Sequence, residues 1–238
     1  RTRWLILNTP NNPSGAVYTH AELAALCEVL RDHPQVWLMT DEIYEHFVYG
    51  NAQHLSPLNV APDLAERTLT INGLSKAYAM TGWRIGYAAG PVPLVKALSL
   101  LASQTTTCAS AMGQAAAVVA LNGPQACVAE ARALFEARRD RMVALLNTLP
   151  GIRCATPEGA FYVFPCVAGL LGQRTPDGTR LATDLDVMLF LLNQAGVASV
   201  DGSSYGMPGY LRLSFATSVE QIEAGCSAIR QAVQTLQP

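Results

Sequence analysis

Lysine is scarce in this sequence: of 16 basic residues only two, Lys76 and Lys96, are lysines, so a chemistry that needs an amine has few places to put it. No run of Lys or Arg occurs, the net charge is -2 and the pI is near 6.1, which argues against nucleic acid or an anionic membrane as the main partner and favours small-molecule ligands. No apolar stretch, Ala115 to Leu121 included, approaches the roughly 20 residues that a membrane span requires. The six cysteines form no C-x-x-C pair and have no histidine nearby at ligand spacing. We therefore expect no metal centre, and read the thiols as small buried hydrophobes in a reducing cytoplasm. A leader is not visible, and Arg1 stands directly before the apolar run Trp4 to Leu7 without an initiator methionine, the pattern expected of a chain cut from something longer.

What is present is ample apolar material. Half of the 238 residues are hydrophobic, enough to bury the core of one large domain or two modest ones. Leu5 to Leu7 reads as a strand that breaks at the turn formers Asn8 to Gly15. Thr19 with Glu22 forms a capping-box pattern, and Leu23, Leu26, Val29 and Leu30 follow at helical spacing. Val36 to Met39 is a continuous apolar run of the kind covered on both faces, and it ends at Asp41-Glu42. Thr68 to Ile71 leads into Asn72-Gly73-Leu74-Ser75-Lys76, and Thr81 to Ala88 reads as a further buried strand. Such alternation predicts an α/β domain with a largely parallel sheet.

From Pro93 to Leu149 the composition predicts two or three helices interrupted at Gly123-Pro124, the last of them long and amphipathic. Beyond Pro150-Gly151 short β-like pieces follow at Ile152 to Ala155, Ala160 to Phe164, Val197 to Val200 and Tyr210 to Ala216, with helices at Asp184 to Ala195 and Val219 to Leu236. We expect residues 1–145 to form one domain and 146–238 a smaller α+β domain, with the long helix crossing the boundary.

Lys96 falls in a helical stretch and reads as surface, whereas Lys76 follows a strand and a glycine turn, where an amine can project from the carboxyl edge of a sheet. A solvated surface lysine is the alternative there. Asp41 ends a strand and could equally cap a helix. In Tyr210 to Ala216, Leu211, Leu213 and Phe215 share one face while Arg212 and Ser214 share the other. An arginine so placed either grips a carboxylate bidentately or pairs with an acid of its own domain.

Asn12-Pro13-Ser14-Gly15, Asp41-Glu42-Ile43-Tyr44, Ser75-Lys76 and Gly82-Trp83-Arg84-Ile85-Gly86 follow one another along the chain, continued by Phe161 to Pro165 and Leu211 to Ser214. Together they resemble the fold-type I aminotransferases of class I, and Met80-Thr81-Gly82-Trp83-Arg84 resembles the bacterial aspartate aminotransferase branch. The resemblance covers the whole chain. It implies pyridoxal 5'-phosphate (PLP) as cofactor, an amino acid and a 2-oxo acid as substrates, a homodimer when complete, and no nucleic-acid or membrane partner. It also implies an N-terminal portion, missing here, that supplies a phosphate loop, an aromatic stacked on the cofactor ring, and side-chain selectivity.

Residue by residue, Lys76 would form the Schiff base and then carry the proton. Asp41 would face the pyridine nitrogen, while Asn12 and Tyr44 would hydrogen-bond the phenolic oxygen. Ser75 and Arg84 would hold the phosphate, Arg84 being an arginine that needs a partner in an apolar strand. Arg212, with Asn12, would bind the substrate carboxylate. Two departures stand out. Gly73 replaces the serine of some relatives, and Asp201-Gly202-Ser203 replaces the branch's Pro-Gly-Ser, which is expected to free that loop and add a carboxylate near the substrate entrance. The function implied is amino transfer from an aspartate-like amino acid to 2-oxoglutarate. Aromatic or prephenate amino transfer, C–S cleavage, and a regulator's ligand-sensing domain are alternatives, since fold alone does not fix function.

Overall fold

A computed structural model describes residues 1–238, and its contacts divide the chain into two compact units: residues 1–11 with 16–132, and residues 12–15 with 133–238. In the first unit β1 (Trp4–Asn8), β2 (Trp37–Asp41), β3 (Thr68–Gly73) and β4 (Gly86–Ala89) form a sheet in that order. The pairs β1–β2 and β2–β3 are parallel, with Asn8 opposite Asp41 and Asp41 opposite Ile71, so the strands end at one edge. β4 runs antiparallel to β3.

Between β1 and β2 lies α1 (His20–Arg31), started by the capping box of Thr19 and Glu22. Its buried Leu23, Cys27 and Leu30 pack with Leu7, Val36, Leu38, Ala61 and Leu64, the last two beside α2 (Pro57–Val60). Each such leucine contributes about 2 kcal/mol of burial, which fixes β1 and β2 against α1. α3 (Val92–Thr105) and α4 (Ala111–Asn122) complete the unit, and α5 (Ala126–Leu146) begins in it and ends in the second.

The stretch expected as a buried strand at Thr81 to Ala88 is built differently. Thr81–Trp83 is a 3-10 turn, Arg84 is left-handed at φ 56°, and only Gly86–Ala89 is strand, all of it exposed. Its apolar run suits an edge strand whose faces this chain leaves uncovered, since only one neighbour, β3, pairs with it. Leu100, Leu101, Val118 and Val119 of α3 and α4 are exposed as well.

In the second unit β5 (Tyr162–Val163), β7 (Leu211–Ser214) and β6 (Val200–Asp201) form an antiparallel sheet with β7 central. α6 (Asp184–Ala195) buries Val187, Phe190 and Leu191, and α7 (Val219–Val233) buries Ile222, Cys226 and Ile229. Ile152 to Ala155 is not a strand: it contributes one isolated bridge, Arg153 to Cys166. α7 stops three residues before Leu236, where Leu236 N–H turns back to the Val233 carbonyl.

Candidate functional site

The parallel register brings the ends of β2 and β3 to one edge of the first unit's sheet. At β2 the Asp41 carbonyl accepts hydrogen bonds from the Thr9 amide at 3.2 Å and the Asn8 side chain at 3.2 Å, which ties it to the end of β1. Its carboxylate accepts the Ile43 amide at 3.2 Å, closing a turn after the strand; the helix cap considered for it is absent. Burial pushes the Asp41 carboxyl above its ordinary value, the charge of Glu42 adds to the rise, and the Ile43 amide opposes it.

Glu42 is buried and differently served. Its carboxylate accepts Ser56 Oγ at 2.7 Å and Thr40 Oγ1 at 3.1 Å, and meets His54 Nε2 at 3.2 Å. Burial alone would raise its pKa, but the bonds from His54, Ser56 and Thr40 outweigh that and hold it below the usual value. The turn that carries Tyr44, itself only 4% exposed, thereby follows directly on a buried carboxylate held by three side chains.

β3 continues into the turn that holds Ser75 and Lys76, both half-buried. Fully buried Leu74 packs with Ile85 and Ala117 and pins this turn, and its carbonyl accepts the amides of Tyr78 at 3.3 Å and Met80 at 3.4 Å. Gly73 sits in a tight place: a Cβ there would lie 3.0 Å from the Ile85 carbonyl oxygen and 3.1 Å from Gly86 Cα, so a side chain would require the neighbouring β4 backbone to give by a few tenths of an ångström. Lys76 Nζ lies 5.8 Å from the centroid of the Tyr44 ring, within cation–π reach. The turns after β2 and β3 therefore bring Lys76 and Tyr44 together beside Asp41's strand end. Arg84, expected inside a strand, is exposed on its left-handed turn and donates to the Thr81 carbonyl at 2.9 Å. Lys96 is exposed on α3.

Asn12 and Arg212 both belong to the second unit. Gly15, at φ 70°, lies so close to Pro157 Cβ (2.4 Å from an added Cβ) that no side chain fits, and its carbonyl accepts the Gly159 amide at 2.8 Å. This docks the 12–15 segment. Arg212 on central β7 points away from buried Leu211 and Leu213, as strand alternation requires. Its guanidinium donates to the Asn12 side-chain oxygen at 3.0 Å and lies over two rings, 4.6 Å from the Tyr162 centroid and 5.5 Å from that of Tyr205. The structural ion pair considered for Arg212 is not made: no carboxylate pairs with it.

Tyr162 and Tyr205 went unremarked in the sequence, although both stand in stretches that carry other signals. Asp201 was expected to loosen its loop and present a carboxylate to the entrance. Instead its carboxylate caps the turn Gly202–Tyr205, accepting Ser204 N at 2.8 Å and Ser204 Oγ at 2.9 Å. A side-chain cap replaces the stiffness of proline.

A family model described as aminotransferase class I and II matches residues 1–229. A protein of Rhizobium leguminosarum bv. phaseoli named probable aspartate/prephenate aminotransferase is 51% identical over 231 residues, covering 97% of this chain and 58% of that protein. The aspartate aminotransferase of Rhizobium meliloti (strain 1021) is 50% identical over 236 residues, 99% of this chain and 58% of its own length. A crystal structure of the aspartate aminotransferase from Rhizobium meliloti superimposes with a TM-score of 0.97 at 50% identity, covering 100% of this chain and 59% of that one. The chain thus spans under three fifths of the relatives it matches.

Proposed function

Since the chain belongs to the class I and II aminotransferase family, we propose that it supplies the lysine, the ring-facing carboxylate and the carboxylate-binding arginine of a PLP-dependent aminotransferase, which moves the amino group of aspartate to 2-oxoglutarate. The observation that carries this is the meeting of Lys76 and buried Tyr44 at the strand-end turns beside Asp41.

The donor set fits the cofactor. Asp41 is a half-buried carboxylate raised by burial, and no cation figures among the groups that set its pKa, the condition of a carboxylate meant to face a cationic ring nitrogen. Tyr44 offers a hydroxyl to a ring oxygen, while Ser75 and Arg84 offer a hydroxyl and a guanidinium to a phosphate. When bound, PLP supplies an electron-accepting ring conjugated to the reacting carbon. Lys76 would hold it by its amine, and the same amine would take a proton from the amino acid's α-carbon and return it as general acid. The fixed turns keep that amine in place through both halves of the exchange. Arg212, with its charge unneutralised, binds the α-carboxylate, and Asn12 orients the guanidinium.

The test is isotope transfer in the full-length protein: 15N-aspartate with 2-oxoglutarate should yield 15N-glutamate. Absence of label in glutamate under saturating PLP would overturn the proposal. A second acceptor, prephenate, is favoured by the printed name of the 51% identical relative, and label in its amino product would add that activity.

A further inference from the structure

An arginine that receives a substrate carboxylate faces a conflict. It must be held in one orientation, yet an acidic partner that held it would neutralise its charge and occupy its donors. Arg212 is held otherwise, by one amide oxygen and two aromatic rings. Resting on the reading of Arg212 as the α-carboxylate anchor, we propose that Tyr162 and Tyr205 are positioning residues, an aromatic clamp that orients the Arg212 guanidinium and leaves its donor edge open to a carboxylate.

Each ring is itself placed. Tyr162 lies on β5, with Ser214 of β7 opposite, and its ring packs against Phe161 at 4.9 Å between centroids. Tyr205 ends the turn that Asp201 caps, and it meets Phe164 edge-on at 6.2 Å, interplanar angle 89°. A second acid, this one buried, secures the same turn: Asp184, 2% exposed, accepts Ser203 N and Ser203 Oγ, each at 2.7 Å. Gly202 admits no side chain, since a Cβ would stand 2.2 Å from the Met207 carbonyl oxygen. Asp184 and Asp201 are therefore spent on the turn that carries Tyr205, and the ring faces attract the cation without competing for its N–H groups.

The experiment uses the full-length holoenzyme and two readouts: calorimetric affinity for succinate, an unreactive dicarboxylate, and kcat and KM for aspartate. Tyr162→Leu and Tyr205→Leu should each weaken succinate binding and raise KM about fivefold to tenfold, the scale of a half-buried cation–π contact, with kcat changed less than about twofold. Phenylalanine in place of each tyrosine should restore most of the binding, because the ring and not the hydroxyl is used. Where a leucine variant fails to fold, Asp201→Ala, which loosens the Tyr205 turn and keeps both rings, should weaken succinate binding in the same direction. Arg212→Lys separates the two claims. If it weakens succinate while both leucine variants bind like the parent, the clamp is wrong and the anchor stands; if it leaves succinate binding unchanged, the anchor reading falls and the clamp with it. Equal losses for leucine and phenylalanine would also overturn the clamp.

Discussion

Arg84 and Arg212 are both arginines to which the family resemblance assigns an anion, yet their surroundings differ completely. Arg212 has an amide oxygen, two rings and a capped turn around it, all within the second unit. Arg84 is exposed on a left-handed turn with one hydrogen bond to a nearby carbonyl, in the part of the first unit where β4, α3 and α4 also expose apolar side chains. The arginine proposed to take a carboxylate is thus enclosed by residues of its own unit, whereas the one proposed to take a phosphate has few partners within its own. Within the first unit, Glu42 and Leu74 fix the turns that hold Tyr44 and Lys76.

The sharpest way to separate these regions is to damage one and read the other. Asp41→Ala should slow amino transfer by about 100-fold or more, the scale of lost electrostatic stabilisation of developing charge, while succinate affinity stays at the parental value. A parallel loss of succinate affinity would break the comparison, because the two regions would then be one structural unit. Arg212→Lys should do the reverse, raising KM for aspartate and glutamate roughly tenfold to a hundredfold, the worth of about 1.5–3 kcal/mol for hydrogen bonds to a charged group. β-Alanine, which is aspartate without its α-carboxylate, should respond equally weakly to parent and variant.

Smaller in size is the effect of Glu42→Gln, expected to cost about 1–3 kcal/mol of stability at pH 7 by weakening a buried network. The folded-state pKa of Glu42 lies below the ordinary 4.5, so its contribution is present above that value and is lost as pH falls through the lower folded value. The gap between parent and variant in denaturation curves should therefore begin to shrink as pH falls below about 4.5 and close below the lower folded value. A gap that persists unchanged in acid would mean that Glu42 acts through packing and not through its charge.

Local patterns made much of this legible. Leu5 to Leu7 and Val36 to Met39 announce β1 and β2, Thr19 and Glu22 announce α1, and α6 lies where its sequence expects it, at Asp184–Ala195. The two-residue alternation around Arg212 was readable because β7 buries a single face. What escaped were features set by distant neighbours. Thr81 to Ala88 is apolar enough for a buried strand, but its position at the sheet edge follows from pairing with β3 alone. Asp201 reads as a loosened loop until Ser204 is seen to satisfy it. The bond between Asn12 and Arg212 spans 200 residues of sequence, and no spacing rule predicts it. Glu42 looks like the second half of an acidic pair, and only the return of His54 and Ser56 makes it an internal hub.

The central claim is that Lys76, placed at the β3 edge against Tyr44, is the amine that holds the cofactor. Borohydride reduction of the PLP-loaded full-length protein, followed by peptide mapping, tests it directly, because this chain offers only one other lysine side chain, Lys96 on α3. The account predicts stable pyridoxyl label on the peptide that contains Lys76 and its loss in Lys76→Ala. Label on Lys96, or undiminished labelling of Lys76→Ala, would contradict it.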